Sequence, residues 1–436
     1  MRHIKAAYLH VELMLNKLER NKTVMIFCDK LMKIAAQAEE ALAQRYKKID
    51  DIAFANTSRV MDAFREFRVD ATMFDGTTGY GYDDKGRDAL DKIYARVFGC
   101  EAAFARHSIV NGTQAIATAL YGLLRPGDTM LSVTGKPYDT LDKVVGISDD
   151  GKCDGSLRDF GVKYAEIPLG EGEAYLDAVE GAIKAHDNIK IVYIQRSKGY
   201  MNRRTLSADE IDAITARVRR CCGAYVVVDN CYGEFVETRE PNADIIVGSL
   251  IKNPGGGVAE SGGYIAGSAR AVELASYRLT TVGVGLECGA SLGNTKNMLR
   301  GFFMAPHTVA QALKTAAFAA YVFAALGCDV EPLYTDERYD IIQTVKLGAP
   351  EKLCAFCRGI QSGSPIDAYV TPEPWEMPGY SDKVIMAAGT FTQGASIELS
   401  ADGPLRAPYT AFMQGGVTYE SGKIGILSAA QALLEL

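Results

Sequence analysis

The sequence predicts an α/β protein with a mostly parallel central sheet, helices on both of its faces and a smaller C-terminal α/β lobe. The first observation is a pair of apolar runs with almost no alternation. Val226-Val227-Val228 stops on Asp229-Asn230, and Ile245-Ile246-Val247 leads to Ser249, Lys252 and Gly255-Gly256-Gly257. Such runs suit strands buried on both faces of a parallel sheet. The second is a rhythm of strand, loop and helix from about residue 100 to 270. The third is the punctuation between elements, where Asn111-Gly112-Thr113-Gln114 opens a helix that Arg125-Pro126-Gly127-Asp128 closes.

Taken in order, residues 1–29 fit no pattern and read as an N-terminal extension, and residues 30–72 as a helical segment. There, Ala, Glu, Lys and apolar residues recur at helical spacing, which predicts one or two amphipathic helices between Lys30 and Arg68. The glycine- and tyrosine-rich stretch Phe74–Arg87 reads as an ordered loop before a helix over Asp88–Gly99. A large α/β domain is expected over 73–308. Its predicted strands are Thr129–Val133, Ile189–Ile194, Ala224–Asp229 and Ile245–Ser249. A helix over Ser207–Arg220 starts on the capping box Ser207-Ala208-Asp209-Glu210. An alanine-rich helix near Val309–Leu326 leads into a C-terminal domain, 309–436. Strands are expected there at Asp340–Leu347, Lys383–Phe391 and Ser396–Leu399, with a closing helix at Ser421–Leu434.

Hydrophobic content of 48% and charged content of 23% are those of a soluble globular chain. A formal charge of −7 argues against nucleic acid or an anionic membrane as partner. No uninterrupted apolar stretch reaches the roughly 18 residues of a membrane span, and residues 1–30 lack an apolar signal core. The expected compartment is the cytoplasm. Ten cysteines lie scattered, with a single CxxC at Cys354 and Cys357, and the five histidines form no ligand spacing. Buried reduced thiols, rather than a metal site, are the reading.

Strand ends of such a sheet border its ligand cleft, so Asp229 and Lys252 are expected to face one cavity. Taken alone, they also suit a structural ion pair or two unrelated strand-end residues. A chemical reason to bring them together is pyridoxal phosphate. Its aldehyde attaches to a lysine amine, and its ring nitrogen requires an acidic partner to stay protonated. Gly112 and Thr113 stand at a helix N-terminus, where free N–H groups favour an anion such as a phosphate, although Asn111 also suits an ordinary N-cap. Ser249 can add a hydroxyl to the same phosphate. Tyr138, at a loop between strand and helix, can stack on a flat ring and offer its hydroxyl as an acid, or be a packing residue. The GxGxxG, GxxxxGK[ST] and GxSxG fingerprints are absent.

Asn111–Ile116, Leu123–Asp128, Pro137–Thr140, Val228–Asn230 and Ser249-x-x-Lys252 come in an order and spacing that resemble the Cys/Met-metabolism enzymes of the pyridoxal-phosphate-dependent transferase fold, type I. Gly79–Asp88, Gly135–Leu141, Tyr369–Trp375 and Ala388–Pro404 look like its divergent branch, the methionine γ-lyase-like or aluminium-resistance proteins. The likeness runs from about residue 30 to the C-terminus. It implies pyridoxal 5'-phosphate held covalently by Lys252, with Asp229 on the ring nitrogen. It further implies Gly112, Thr113 and Ser249 on the phosphate, Tyr138 stacked on the ring and Gln195 on the ring hydroxyl. Tyr82 from a neighbouring subunit, or Tyr80, and Arg87 are implied to reach the phosphate. That requires a homodimer or homotetramer with shared sites. The wider family's C-terminal arginine pattern for the substrate carboxylate is missing, since Gly415–Tyr419 holds no arginine. Arg406 is the replacement by residue type, and a surface or interface arginine equally.

The resemblance implies a carbon–sulfur lyase acting on a sulfur-containing amino acid, of methionine γ-lyase or cystathionine β-lyase type. Lys252 is the expected base, its pKa drawn toward neutrality by burial and a nearby charge, and Tyr138 the expected acid toward a thiol. An aminotransferase or other pyridoxal enzyme, or a cofactor-binding protein without turnover linked to stress or metal resistance, are the alternatives.

Overall fold

The computed structural model describes residues 27–147, 154–377 and 382–436. Most of the expected N-terminal extension therefore lies outside the described residues. Seven strands form the central sheet: β1 (Ala102–Arg106), β2 (Thr129–Ser132), β3 (Lys163–Glu166), β4 (Ile189–Gln195), β5 (Tyr225–Asp229), β6 (Ile245–Ser249) and β7 (Gly263–Gly267). Their order is β1-β7-β6-β5-β4-β2-β3. β7 pairs antiparallel with both β1 and β6, while the pairs from β6 to β3 are parallel.

Alternate residues of these strands enter different cores, which explains the unbroken apolar runs. Val226, Val228 and Ile246 pack on one face with helices α1 (Asp29–Glu66), α2 (Lys85–Phe98), α4 (Gly172–Ala185), α5 (Ala208–Cys221) and α7 (Thr295–Ala325). Val227, Ile245 and Val247 pack on the other with α3 (Gly112–Leu123) and α6 (Ala269–Leu279). Each fully buried Val or Ile contributes roughly 1.5–3 kcal/mol, so a polar residue inside these runs would be costly on either face. The predicted punctuation holds locally. Asn111 Oδ1 accepts from Gln114 N at 2.8 Å. Ser207 and Glu210 form the reciprocal capping box at the start of α5.

The C-terminal lobe carries five strands: β8 (Asp329–Glu331), β9 (Gln343–Lys346), β10 (Val384–Ala387), β11 (Ser400–Pro404) and β12 (Thr410–Gln414). They pair antiparallel throughout, in the order β10-β11-β12-β9-β8. They share a core with α8 (Pro350–Ser362) and α9 (Tyr419–Leu434). The strand expected at Ser396–Leu399 is a turn, and β11 begins at Ser400. The turn is fixed by its side chains, because the Glu398 carboxylate accepts the backbone N–H groups of Phe391 and Thr392.

Two long helices join the layers. α1 is one helix of 38 residues. It buries Leu31–Leu42 in the C-terminal core and Ile49–Ala63 in the sheet core. α7 runs 31 residues and starts well before the expected Val309, with Pro306, a helix breaker by residue type, inside it. It too serves both cores, Met298–Leu313 in one and Ala316–Phe323 in the other. The expected domain boundary at 309 falls within this helix. By length and composition α7 could cross a membrane, but 72% of the relevant window is buried inside the protein. The nine cysteines among the described residues are free thiols, of which Cys231 and Cys357 are fully buried.

Candidate active site

β5 ends on Asp229 and β6 on Ser249, and Lys252 follows in the turn beyond β6. The backbone of each strand end is anchored. Cys231 N donates to Asp229 Oδ1 at 3.1 Å, and Arg196 N to Asp229 O at 3.0 Å. Behind Asp229, the buried Asn230 accepts from the Arg196 guanidinium at 2.8 Å and donates to Glu240 at 2.9 Å. Asn253, next to Lys252, donates to Glu234 O at 3.0 Å. The glycines after the lysine have a geometric role. α7 crosses the turn so closely that a Cβ on Gly256, whose φ is +58°, would stand 2.3 Å from Gly301 O, so only glycine lets the helix brace this turn.

Asp229 and Lys252 open into one cavity of about 250 Å3, together with Gly112, Thr113, Tyr138, Gln195 and Ser249. Among the described residues, Asp229 and Lys252 are the charged ones in its lining. Gly112 sits where α3 approaches β6, and a Cβ there would lie 3.5 Å from both Cys231 Sγ and Ser249 Cβ. The Ser249 hydroxyl is buried beside this helix start and has no hydrogen-bond partner, and neither has Gln195 Oε1. Gln195 Nε2 donates to Ser197 O at 3.1 Å. Tyr138 packs over Gly199, where a Cβ would come within 2.9 Å of its ring.

Lys252 Nζ lies 4.0 Å from the centroid of the Tyr232 ring, a cation–π arrangement. The Tyr232 hydroxyl in turn accepts from Ser396 Oγ of the C-terminal lobe at 3.2 Å. Burial works to lower the Lys252 pKa, but Cys231, Tyr232, Asp229 and Glu234 outweigh it and hold the amine above its ordinary value. The net direction is thus opposite to the one expected from burial alone. Burial, and then Asp229, push the Cys231 thiol well up. Burial, and then Glu240, raise the Glu234 carboxyl to about 8.

The remaining expected residues lie elsewhere. Tyr82 is exposed and stacks on Tyr80 at 5.5 Å. Arg87 is buried and donates to Gly81 O at 2.7 Å and Gly289 O at 3.0 Å, so its guanidinium ties its own loop to the distant segment at Gly289. Arg406 lies beyond β11, pairs with Asp382 at 2.8 Å and lines a neighbouring cavity. Tyr232, Cys231 and Thr140 also line the site and were not singled out from the sequence. For Tyr232 the available signal was its place three residues past Asp229 on the same strand exit.

A family model described as methionine gamma-lyase matches residues 31–434. The uncharacterized protein YnbB of Bacillus subtilis is 50% identical over 410 residues, 93% of this chain and 97% of its own length. A Clostridium acetobutylicum structure, of a protein put forward as a cystathionine beta-lyase involved in aluminum resistance, superposes with a TM-score of 0.90. It is 47% identical over 94% of this chain and 96% of that one. At the level of fold, the pyridoxal-5'-phosphate-dependent protein YhfS of Escherichia coli matches with a TM-score of 0.57 and 15% identity, over 90% of this chain and 97% of its own.

Proposed function

The chain belongs to the methionine gamma-lyase family, and on that premise we propose that it is a pyridoxal-phosphate-dependent carbon–sulfur lyase. Its substrate is a sulfur-containing amino acid that loses a thiol from Cβ or Cγ. The observation that carries this reading is the cavity itself. A carboxylate and an amine from adjacent strand ends open into it beside the buried, unpartnered hydroxyl of Ser249 at a helix start.

The donor set fits the cofactor. Lys252 would hold it covalently, Asp229 would pair with the ring nitrogen, and Ser249 with the N–H groups of Gly112 and Thr113 would take the phosphate. Tyr138 would cover the ring, and Gln195 would meet the ring hydroxyl. When bound, pyridoxal phosphate supplies a ring that withdraws electrons from the substrate's Cα. The chain's own groups move the protons. Lys252 Nζ, in its uncharged form, is the base toward Cα, and Tyr138 Oη is the acid toward the departing sulfur. Asp229 offsets the positive ring nitrogen, and removing one partner of such a buried pair costs about 3–5 kcal/mol.

The test is a visible spectrum of purified protein, followed by L-methionine, L-cystathionine, L-cysteine and L-homocysteine with product assays. Thiol, ammonia and a 2-oxo acid support the reading, and Lys252→Ala should lose the absorbance of the lysine-bound cofactor. Glutamate formed from 2-oxoglutarate would make the protein an aminotransferase instead. A cofactor spectrum that no amino acid alters would favour a binding protein. The observation on that side is that, among the described residues, the lining of the cleft holds no arginine.

A further inference from the structure

A cavity of about 460 Å3 lies at the other edge of the central sheet. Its lining includes Asp244, just before β6, whose carboxylate accepts Val226 N of β5 at 2.8 Å. It therefore sits at the amino ends of β5 and β6, whereas the carboxyl ends of the same strands carry Asp229 and Ser249. Strands of this length span roughly 16 Å, so this cavity and the candidate active site are separate places on the molecule.

Among the described residues, four arginines line it, each from a different stretch of chain: Arg59 of α1, Arg96 of α2, Arg219 of α5 and Arg239 of the loop between β5 and β6. Arg96 and Arg219 stand in the last turns of their helices, where a cation suits the helix end. Arg59 and Arg239 have no such reason to be there. The three acidic residues of the lining are already engaged. Glu240 is turned inward, where it accepts from Asn230 and from Phe235 N at 2.9 Å and pairs with Arg196 at 3.3 Å. Asp244 holds β5 and stands 3.7 Å from Arg219, and Glu101 accepts Ala269 N at 2.9 Å. Arg96 pairs with Glu66 at 2.9 Å, and Arg239 with Asp209 and, at 2.8 Å, Asp212, all half-exposed pairs of the kind that contribute little. Arg59 has no carboxylate partner among the described residues. Its Nη atoms donate to Thr238 O and, at 2.9 Å, to Asn56 Oδ1, and its Nε is buried without a partner. Burial lowers its pKa, with Glu240 opposing. A desolvated and under-compensated guanidinium gains most from an incoming anion.

The topology adds a helix start. The amino edge of a parallel sheet meets helix C-termini, whose carbonyls repel an anion. Because β7 runs the other way, α6, which follows it, begins at this edge instead. Its N-cap Ser268 lines the cavity, and the Ser268 side chain makes no capping bond. We propose that this cavity is a binding site for a phosphate ester. Guanidinium groups brought together from four stretches of chain match the three terminal oxygens of a phosphate, whereas a carboxylate offers two oxygens in one plane. Val97, Phe98, Pro241 and Ala243 add apolar wall for the esterified group. The assignment stands apart from the carbon–sulfur lyase reading, whose cofactor phosphate belongs to Ser249 and the start of α3.

The experiment is calorimetric titration at low salt with phenyl phosphate, and with benzoate as its carboxylate counterpart, on protein loaded with pyridoxal phosphate and dialysed. Phenyl phosphate should bind, and benzoate about tenfold or more weaker. Arg59→Met, Arg96→Met and Arg219→Met should each weaken phenyl phosphate by about tenfold. Arg96 and Arg219 are half-exposed, so the test survives if Arg59→Met fails to fold. Arg358→Met, which removes a similar surface charge on the C-terminal lobe, should bind as the unaltered chain does, and so should Ser249→Ala. No binding to the unaltered chain would overturn the assignment, as would binding that all three cavity variants retain. Equal weakening by Arg358→Met would reduce the effect to general charge and overturn it too. Loss in Ser249→Ala with retention in the arginine variants would place the ligand at the start of α3, and so would also overturn it.

Discussion

Replacing Glu234 by glutamine should flatten the dependence of stability on pH. Glu234 is fully buried behind the turn that carries Lys252. One carboxylate oxygen accepts from Tyr264 at 2.8 Å, and the other has no partner. Burial, and secondly Glu240, raise its pKa from 4.5 to about 8. The folded chain therefore holds this proton more tightly than the unfolded chain. The contribution to stability is complete below the unfolded value of 4.5 and is lost as pH rises through about 8. Between roughly pH 5 and pH 8 the loss amounts to about 3 kcal/mol. Glutamine is neutral throughout, so Glu234→Gln should remove that part of the slope. Urea unfolding of cofactor-free wild type and variant across this range is the assay. The variant should lose about 3 kcal/mol less than wild type on going from the acid to the alkaline end. Other groups that titrate in the window, such as Asp402 with its pKa raised to about 6, are common to both proteins and cancel in the difference. Equal slopes would refute the reasoning, whatever the offset between the two proteins at low pH.

Three further outcomes are expected. Ser249→Ala removes a buried hydroxyl that has no partner in the cofactor-free chain. It should leave unfolding of that form unchanged or slightly improved, while weakening pyridoxal phosphate binding about tenfold in a spectroscopic titration. Gly301→Ala would drive a methyl group into Gly255 O at 2.3 Å. A loss of about 2 kcal/mol or more in urea unfolding is expected, together with slower attachment of cofactor to Lys252. Tyr82→Ala should lower cofactor affinity and the proportion of oligomer seen by light scattering, if the exposed Tyr80–Tyr82 stack reaches a neighbouring copy's site. Unchanged values of both would remove Tyr82 from that role.

What was legible in the sequence was whatever a short stretch determines by itself. Val226–Asp229 and Ile245–Ser249 announced strands because both faces of the sheet are covered. Asn111 and Ser207 announced helix starts through bonds to residues only three positions away. The features that escaped depend on distant partners. Tyr232 is joined to Ser396 across the two lobes, and no local pattern encodes that contact. β7 reads as Gly263-Tyr264-Ile265-Ala266-Gly267, whose end glycines hide a strand held by two antiparallel neighbours. Ser396–Leu399 has strand-like composition but is shaped by Glu398. Pro306 signals an end to a helix that tertiary packing carries straight through it. The raised pKa of Lys252 escapes a local reading for the same reason, since its direction depends on Cys231 and Glu234, which reach it only in the folded chain.

The α1 and α7 pair has a mechanical consequence. Because each helix is rooted in both hydrophobic cores, the two lobes share their spars, much as two decks share a keel. A hinge that swung one lobe against the other would have to bend two helices or pull apolar side chains out of a core. Small ligands should therefore enter and leave through movements of the connecting loops. Heating should dismantle both lobes in one event, and a fragment cut at residue 309 would carry away half of a beam that neither piece can do without.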